Sequence, residues 1–198
     1  AIDVGGQPSA LTLSPDGVTA YVSQAGANTV AVVDTATGRV TDAIEVGAEP
    51  AGSALAPDGW LYVANAGANT LTVIDTATRR AVGSIPVGRR PVSVAIAADR
   101  SGFAYVANYG DNTVSVIDLA TQTVAKVVPV GEGPVTVAAA VARPSGTVPV
   151  AGPTGPNAVP QDLPNTGGRA ALPDVMWLAL AVGVLGAGAF VRLRARRT

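Results

Sequence analysis

The sequence predicts an all-β protein of short antiparallel strands, on three observations. Glycine and proline are frequent, at 23 and 15 of 198 residues, which suits many turns better than long helices. Apolar residues make up 48% of the chain but aromatic residues only 4%, so the core side chains are small and aliphatic. A unit of about 42 residues also recurs over most of the chain, and repeats of this length are typical of stacked β-architectures.

The repeat is marked by Gly-x-x-Pro, which begins at Gly5, Gly47, Gly88 and Gly131, so that successive prolines lie 42, 41 and 43 residues apart. Each unit also contains three further landmarks at matching offsets. These are a Tyr-Val pair, an Asn-Thr pair and an aspartate that ends an apolar run: Tyr21, Tyr62, Tyr105; Asn28, Asn69, Asn112; Asp34, Asp75, Asp118. The spacing predicts three repeats within residues 1–142, at about 5–46, 47–87 and 88–130, with partial units at both ends.

Each repeat is predicted to form four strands in a meander. In the first repeat the strands are expected at 9–13, 19–24, 29–34 and 39–46. The first hairpin is indicated by Ser-Pro-Asp-Gly at 14–17, in which proline presets φ for a turn and glycine accepts a positive φ. The aspartate at the end of each third strand is expected to stabilise the next turn by accepting hydrogen bonds from backbone amides of that turn.

The third strand of each repeat is apolar on both faces, as in Thr-Val-Ala-Val-Val at 29–33, so each sheet should be covered on both sides. Four-stranded units of this length that pack face to face are typical of β-propeller blades; a β-solenoid is the alternative. We therefore expect a partial β-propeller, an open arc of three four-stranded antiparallel blades with flanking strands. Residues 1–5 should be the outer strand of an incomplete blade, and 135–141 an unpartnered first strand.

The second and third repeats read Tyr-Val-Ala-Asn at 62–65 and 105–108, each followed by Asn-Thr, an apolar strand and an aspartate. This pattern resembles the YVTN family of β-propeller repeats over residues 1–142. The first repeat departs from it with Tyr-Val-Ser-Gln at 21–24, and the third replaces Pro-Asp-Gly with Asp-Arg-Ser-Gly at 99–102. The resemblance implies a propeller, commonly one closed by seven blades, so the chain is expected to be an N-terminally truncated fragment.

Residues 143–162 contain five prolines among Gly, Ser and Thr, and predict a disordered, extended linker. An apolar run follows at 175–191, and with neighbouring residues it predicts one C-terminal transmembrane helix at about 172–191. Four arginines come next: Arg192, Arg194, Arg196 and Arg197. Such a basic end favours a cytoplasmic C-terminus and an external body.

The order of Leu163, Pro164, Asn165, Thr166 and Gly167, an apolar span and arginines resembles the LPXTG cell-wall sorting signal of Gram-positive bacteria. The resemblance implies that sortase cleaves between Thr166 and Gly167 and joins Thr166 to peptidoglycan. The span and the arginines would hold the chain in the membrane before cleavage. The protein is thus expected at the cell wall and cell surface. A GPI signal fits less well, because its apolar tail normally ends without arginines.

The loops that enter each repeat keep Gly-x-x-Pro but vary at the two middle positions, as a binding surface on a constant frame would. The loop between the second and third strands of a repeat is predicted to lie on the same face. The candidate contacts for an unknown extracellular ligand, against the alternative of plain solvated loops, are Gln7, Glu49, Arg89, Arg90, Tyr109, Asp111 and Glu132.

Histidine and cysteine are absent from the sequence, which excludes Ser-His and Cys-His nucleophile systems and thiolate or imidazole metal sites within these residues. The net charge of −1 indicates no nucleic-acid partner, and no catalytic residue, metal site or cofactor is predicted. We expect a displayed platform for binding or adhesion. The alternatives are a surface propeller enzyme, lactonase-like or quinone-dependent, with its site in missing blades, or a passive spacer.

Overall fold

The computed structural model describes residues 2–97, 102–140, 177–183 and 189–194, and all of its regular elements are β-strands. The first sheet, blade 1, contains β1 (Pro8–Leu13), β2 (Thr19–Gln24), β3 (Thr29–Asp34) and β4 (Arg39–Glu45). Blade 2 contains β5 (Pro50–Leu55), β6 (Trp60–Asn65), β7 (Thr70–Asp75) and β8 (Arg80–Pro86). Blade 3 contains β9 (Pro91–Ile96), β10 (Phe103–Asn108), β11 (Thr113–Asp118) and β12 (Thr123–Pro129).

Each blade is an antiparallel meander in which sequential strands are neighbours. The predicted strands of the first repeat are confirmed to within one residue at each end. The register is also repeated, because Tyr21, Tyr62 and Tyr105 pair with Val32, Val73 and Val116 on the third strand of their blades. The fourth strand of every blade carries a register shift at the same place, which adds local twist to its outer edge.

The three blades pack face to face as wedges. Their first strands, β1, β5 and β9, lie side by side, whereas the fourth strands barely approach one another. Thr12 Oγ1 on β1 lies 2.8 Å from Ser53 Oγ on β5, so hydroxyl groups also link neighbouring first strands. First strands that converge and fourth strands that splay produce a radial arrangement, and the predicted β-propeller-like arc of four-stranded blades is confirmed.

The core is a series of layers between blades, as expected from strands that are apolar on both faces. One layer between blades 1 and 2 contains Tyr21, Val32, Leu61 and Ile74, and all four are buried. A second, between blades 2 and 3, is built from Tyr62, Leu71, Val73, Val106, Ile117 and their neighbours. Full burial of each such side chain contributes about 1.5–3 kcal/mol, so these layers hold the blades in contact.

The outward face of blade 1 is not covered in the same way. Leu13 is 52% exposed, whereas its counterparts Leu55 in blade 2 and Ile96 in blade 3 pack on the preceding blade. Leu13 and Leu11 line an apolar groove of about 660 Å³ that also contains Ile2 and Val4. The arc is therefore open at blade 1 among the residues that the structure describes.

Residues 2–5, predicted to be an outer strand, do not form a strand. Val4 instead packs on the apolar face of blade 1, and its carbonyl accepts a hydrogen bond from Gln24 Nε2. A lone segment without neighbouring strands has no ladder to join, which explains the difference.

The prediction that residues 135–141 would be an unpartnered strand is wrong. In the structure β13 (Thr136–Ala140) pairs with β14 (Trp177–Gly183), and β14 pairs with β15 (Ala189–Arg194), so that a three-stranded sheet follows blade 3.

The transmembrane helix predicted at 172–191 is also not what the structure shows in the part of this segment that it describes, where β14 and the start of β15 are strands. None of the described residues belongs to a helix with the length and hydropathy of a membrane span. A short apolar run does not distinguish strand from helix by pattern, and the free edge of β13 offers backbone partners to a strand. The linker 143–162 lies outside the described residues.

Candidate functional site

The predicted sorting residues, Leu163 to Gly167, lie outside the described part of the chain, as do Arg196 and Arg197. Arg192 and Arg194 lie in β15, where they pair in register with Ala179 and Trp177 of β14. The described candidates are the loop residues on one face of the arc.

In each blade the entry loop, which contains Gly-x-x-Pro, is joined to the loop between the second and third strands by two backbone hydrogen bonds. In blade 3 the Tyr109 N–H donates to the Arg90 carbonyl at 3.0 Å, and the Gly110 N–H donates to the Arg89 carbonyl at 2.9 Å. The same bonds run from residues 25 and 26 to 7 and 6 in blade 1, and from 66 and 67 to 49 and 48 in blade 2. The two sets of loops therefore share one face of the arc.

The third residue of each Gly-x-x-Pro has a left-handed backbone: φ is 53° at Gln7, 52° at Glu49, 50° at Arg90 and 59° at Gly133. For non-glycine residues this conformation is costly and must be held by neighbours. The asparagine of the preceding Asn-Thr pair stabilises this conformation. Its Oδ1 accepts a hydrogen bond from the N–H of the third residue in three pairs: Asn28 with Glu49 at 2.9 Å, Asn69 with Arg90 at 2.8 Å and Asn112 with Gly133 at 2.9 Å.

At the first position of the Gly-x-x-Pro loop, Gly47 and Gly88 leave no room for a side chain, a restriction that the sequence pattern did not reveal. A Cβ on Gly88 would lie 2.6 Å from Asn108 Cγ and Nδ2, and one on Gly47 would lie 2.7 Å from Asn65 Nδ2. Asn108 is fully buried, and its Nδ2 donates to Thr113 Oγ1 and Ser115 Oγ at 3.0 and 2.8 Å. The Tyr-Val-Ala-Asn motif thus ends in a buried amide on which the entry loop rests.

Blade 3 adds side-chain contacts between its two loops. Arg89 Nε donates to Asp111 Oδ1 at 2.6 Å, and the Arg89 backbone N–H donates to Asp111 Oδ2 at 2.6 Å. The Arg90 guanidinium lies over the Tyr109 ring, 5.0 Å from its centroid, a distance suited to a cation–π contact. We call these four residues, Arg89, Arg90, Tyr109 and Asp111, the blade 3 loop cluster.

Hydrogen bonding favours the charged form of Asp111. The backbone N–H of Arg89, followed by its side chain, holds the pKa of Asp111 below its ordinary value of 3.8. Asp111 is therefore a carboxylate at neutral pH, and its charge is matched by the Arg89 guanidinium.

The other three candidates, Gln7, Glu49 and Glu132, lie outside the blade 3 loop cluster. Glu132 precedes Gly133, where a Cβ would lie 3.1 Å from Tyr109 Cε2, so this loop borders the cluster. Gln7 and Glu49 occupy the equivalent loops of blades 1 and 2. The structure thus brings four of the seven predicted contacts into one cluster and places the other three in the equivalent entry loops of the other repeats, with Glu132 next to the cluster and Gln7 two blades away.

The repeat aspartates serve turns, as the sequence indicates. Asp34 Oδ1 accepts hydrogen bonds from the Thr37 N–H and Oγ1, and Asp75 accepts the corresponding bonds from Thr78. The Thr37 N–H, followed by its hydroxyl, lowers the pKa of Asp34. Within the described residues no three His, Cys, Asp or Glu side chains are grouped so as to hold a metal ion.

A groove of about 550 Å³ adjoins the cluster and was not predicted. Asp111 lines it together with the hydroxyl residues Thr113 and Ser115, and Val87 and Val127 contribute apolar surface. The sequence carries no signal for this groove, because its walls come from strands of both blade 2 and blade 3.

Neither a protein-family model nor a curated protein matches the chain. Solved structures do. The chain is similar to hydrazine synthase of Kuenenia stuttgartiensis, with a TM-score of 0.69 and 24% identity over 98% of this chain and 47% of that one. A chain of a mitotic checkpoint complex gives a TM-score of 0.59 and 16% identity, covering 66% and 42% of the two chains. The WD40 repeats of RRP9 give a TM-score of 0.60 and 12% identity, covering 69% of this chain and 43% of that one.

The chain spans less than half the length of each of these three proteins. At such identities the likeness concerns the fold alone. Together with the four-stranded meanders, it shows that this chain has a β-propeller-like fold.

Proposed function

We propose that the chain is a sortase substrate that is covalently anchored to peptidoglycan at the surface of a Gram-positive bacterium and displays its blades as a binding platform. The observation that carries the proposal is the C-terminal order of Leu-Pro-Asn-Thr-Gly at 163–167, the apolar run 175–191 and four arginines. Each part alone is common. Their order and position match the steps of export, membrane retention and transpeptidation.

The chemistry of anchoring belongs to the sortase, which we propose cleaves after Thr166 and transfers its carbonyl to an amine of the cell-wall precursor. Pro164 fixes φ and so favours one extended shape in the enzyme's groove. The proline-rich residues 143–162 would then hold the blades away from the wall, by up to roughly 60 Å if they are extended at about 3.1 Å per residue.

In this proposal the apolar segment has two alternative conformations. In lipid a single segment satisfies its backbone groups only as a helix, so residues 172–191 would span the membrane in the precursor. Away from lipid, the edge of β13 provides the backbone partners that the structure records for β14. Cleavage after Thr166 would remove both β14 and β15 from the mature protein.

The binding platform would be the face that carries the entry loops. Support comes from the blade 3 loop cluster, where a loop geometry repeated in all three blades presents side chains that differ from those of blades 1 and 2. The repeats of this chain fit the role, because they supply a constant frame with loops that vary from blade to blade.

We also propose that further repeat units pack on blade 1 in the whole protein. Leu13 is exposed at the position where Leu55 and Ile96 are covered by a preceding blade, and it borders an apolar groove. An additional four-stranded blade would cover this surface in the manner of the layers already present.

The anchoring proposal is tested by Thr166→Ala in a Gram-positive host with a working sortase. Wild-type protein should stay with the wall after boiling in detergent and be released by muramidase, whereas the variant should be extracted by detergent. Asn165→Ala is the matched control, since the third position of the resembled motif is open, and it should behave as the wild type. Detergent extraction of the wild-type protein from intact walls would refute the proposal.

A further inference from the structure

The blade 3 loop cluster differs from its counterparts at both loops together. Where blades 1 and 2 have alanines at 25 and 27 and at 66 and 68, blade 3 has Tyr109 and Asp111. Opposite them, Arg89 and Arg90 replace Gly6 and Gln7 in blade 1 and Ala48 and Glu49 in blade 2. The backbone hydrogen bonds between the loops are the same in all three blades, so these side chains are not needed to form the loops.

Within the cluster the two arginines have different electrostatic surroundings. The charge of Arg89 is matched by Asp111, at 2.6 Å, and Arg89 Nη2 also donates to the Gly110 carbonyl. This is the only ion pair among the described residues. The Arg90 guanidinium contacts the Tyr109 ring, which leaves its positive charge and its planar set of donors available to an anion.

The backbones of Arg90 and Tyr109 are held in place before any ligand arrives. The Arg90 N–H donates to Asn69 Oδ1 and the Tyr109 N–H donates to the Arg90 carbonyl, while the Arg90 guanidinium lies over the Tyr109 ring. The Tyr109 ring rests against Gly133 but keeps 40% of its surface exposed. A pre-organised cation beside an exposed aromatic ring costs little ordering entropy on binding.

The surroundings indicate what kind of anion fits. Residues 1–142 carry 7 basic and 12 acidic side chains, and Glu132 lies in the adjoining loop, so a densely charged polyanion or an acidic peptide is repelled. The exposed ring of Tyr109 beside the guanidinium offers an apolar face against which a sugar ring can pack. One carboxylate on a sugar ring meets both conditions.

We propose that the Arg90–Tyr109 pair binds the carboxylate of an acidic saccharide with a single negative charge per ring, with the sugar ring against Tyr109. This inference rests on the binding role proposed above and names the ligand class of the same face. Binding of one sugar ring is expected to be weak, with a dissociation constant of about 1 mM, and multiple rings would raise the avidity.

The test is calorimetric titration of the full chain, kept in a detergent without sugar headgroups, with methyl glucuronide as the probe. Methyl glucoside, inorganic phosphate and a short Asp/Glu peptide serve as comparison ligands. Arg90→Gln and Tyr109→Ala should each weaken glucuronide binding by about tenfold or more, and Tyr109→Phe should retain it. Arg80→Gln is the matched control, because Arg80 begins β8 at the opposite end of its blade from the entry loops, and it should bind as the wild type.

Absence of saturable glucuronide binding, or equal affinity in Arg90→Gln, would overturn the proposal. If methyl glucoside bound as tightly as methyl glucuronide, the carboxylate would not be what the site recognises. If phosphate bound as tightly, the site would be a general anion site and not a saccharide site. Tighter binding of the peptide would assign the face to a protein partner. Each of these results leaves wall anchoring untouched, since the titrated chain is not attached, whereas failure of the Thr166 experiment leaves the titration valid.

Discussion

The Arg90 backbone N–H donates a hydrogen bond to Asn69 Oδ1 at 2.8 Å, across 21 residues of sequence. Asn69 closes the loop before the third strand of blade 2, while Arg90 opens blade 3, and both have a positive φ. One side-chain amide therefore ties neighbouring blades together and holds the backbone of the arginine whose guanidinium lies over Tyr109. The equivalent bonds from Asn28 and Asn112 make this contact a property of the repeat.

Asn69→Gly should lower the free energy of unfolding by about 1–2 kcal/mol, because glycine tolerates the local φ of 57° but offers no acceptor. Asn69→Asp keeps an acceptor oxygen and should lose much less. Denaturant unfolding of the two variants beside the wild type provides the comparison. Equal losses would show that the amide hydrogen bond is not the stabilising feature.

Gly88→Ala should destabilise the protein by about 1–3 kcal/mol, since the added Cβ would lie 2.6 Å from the buried Asn108 side chain. Gly83→Ala is a control within β8, where the nearest atom is the end of the Gln122 side chain at 3.3 Å. Thermal unfolding should show a lower midpoint for the first variant and little change for the second. A neutral Gly88→Ala would mean that the entry loop does not rest on Asn108.

The leucines at equivalent positions of blades 1 and 2 should respond differently to truncation. Leu55→Ala removes packing between blades and should cost about 2 kcal/mol, while Leu13→Ala, on the exposed face, should change stability by less than about 0.5 kcal/mol. Urea unfolding of this chain measures both. Similar losses at the two positions would indicate that blade 1 is covered in solution.

The lowered pKa of Asp111 predicts a pH-dependent contribution to stability. A carboxyl group whose folded pKa lies below its unfolded value of 3.8 stabilises the native state at higher pH, and this contribution is lost as the pH falls through the folded pKa. The wild type should therefore be more stable than Asp111→Asn at neutral pH, and the difference should shrink towards zero in acid. A difference that is constant with pH would contradict the assignment.

The arrangement of the blades could be predicted from the sequence because the same landmarks recur in each repeat. Tyr-Val, Asn-Thr and the turn aspartates mark the strands locally, and the apolar third strands indicate faces that must be covered. The roles of Gly88 and Asn69 could not be predicted in this way, since each depends on a contact with a side chain or backbone group about 20 residues away.

The contacts between the ligand-binding candidates also could not be predicted from the sequence. Variation within Gly-x-x-Pro identified the arginines, and the shared face of the loops between second and third strands identified Tyr109 and Asp111. The pairing of Arg89 with Asp111 and of Arg90 with Tyr109 depends on the register between the two loops. The largest difference concerns residues 177–194. An apolar run of this length satisfies its backbone either as a lone helix or against a free strand edge, and the sequence pattern does not choose between the two.

Cleavage after Thr166 and attachment to peptidoglycan can be measured by mass spectrometry of wall fragments released by muramidase. Anchoring at Thr166 predicts a C-terminal peptide that ends at this residue and carries the mass of a cell-wall peptide, without any residue from 167–198. Recovery of mature protein that still contains its arginines at 192–197, from a host with an active sortase, would contradict it.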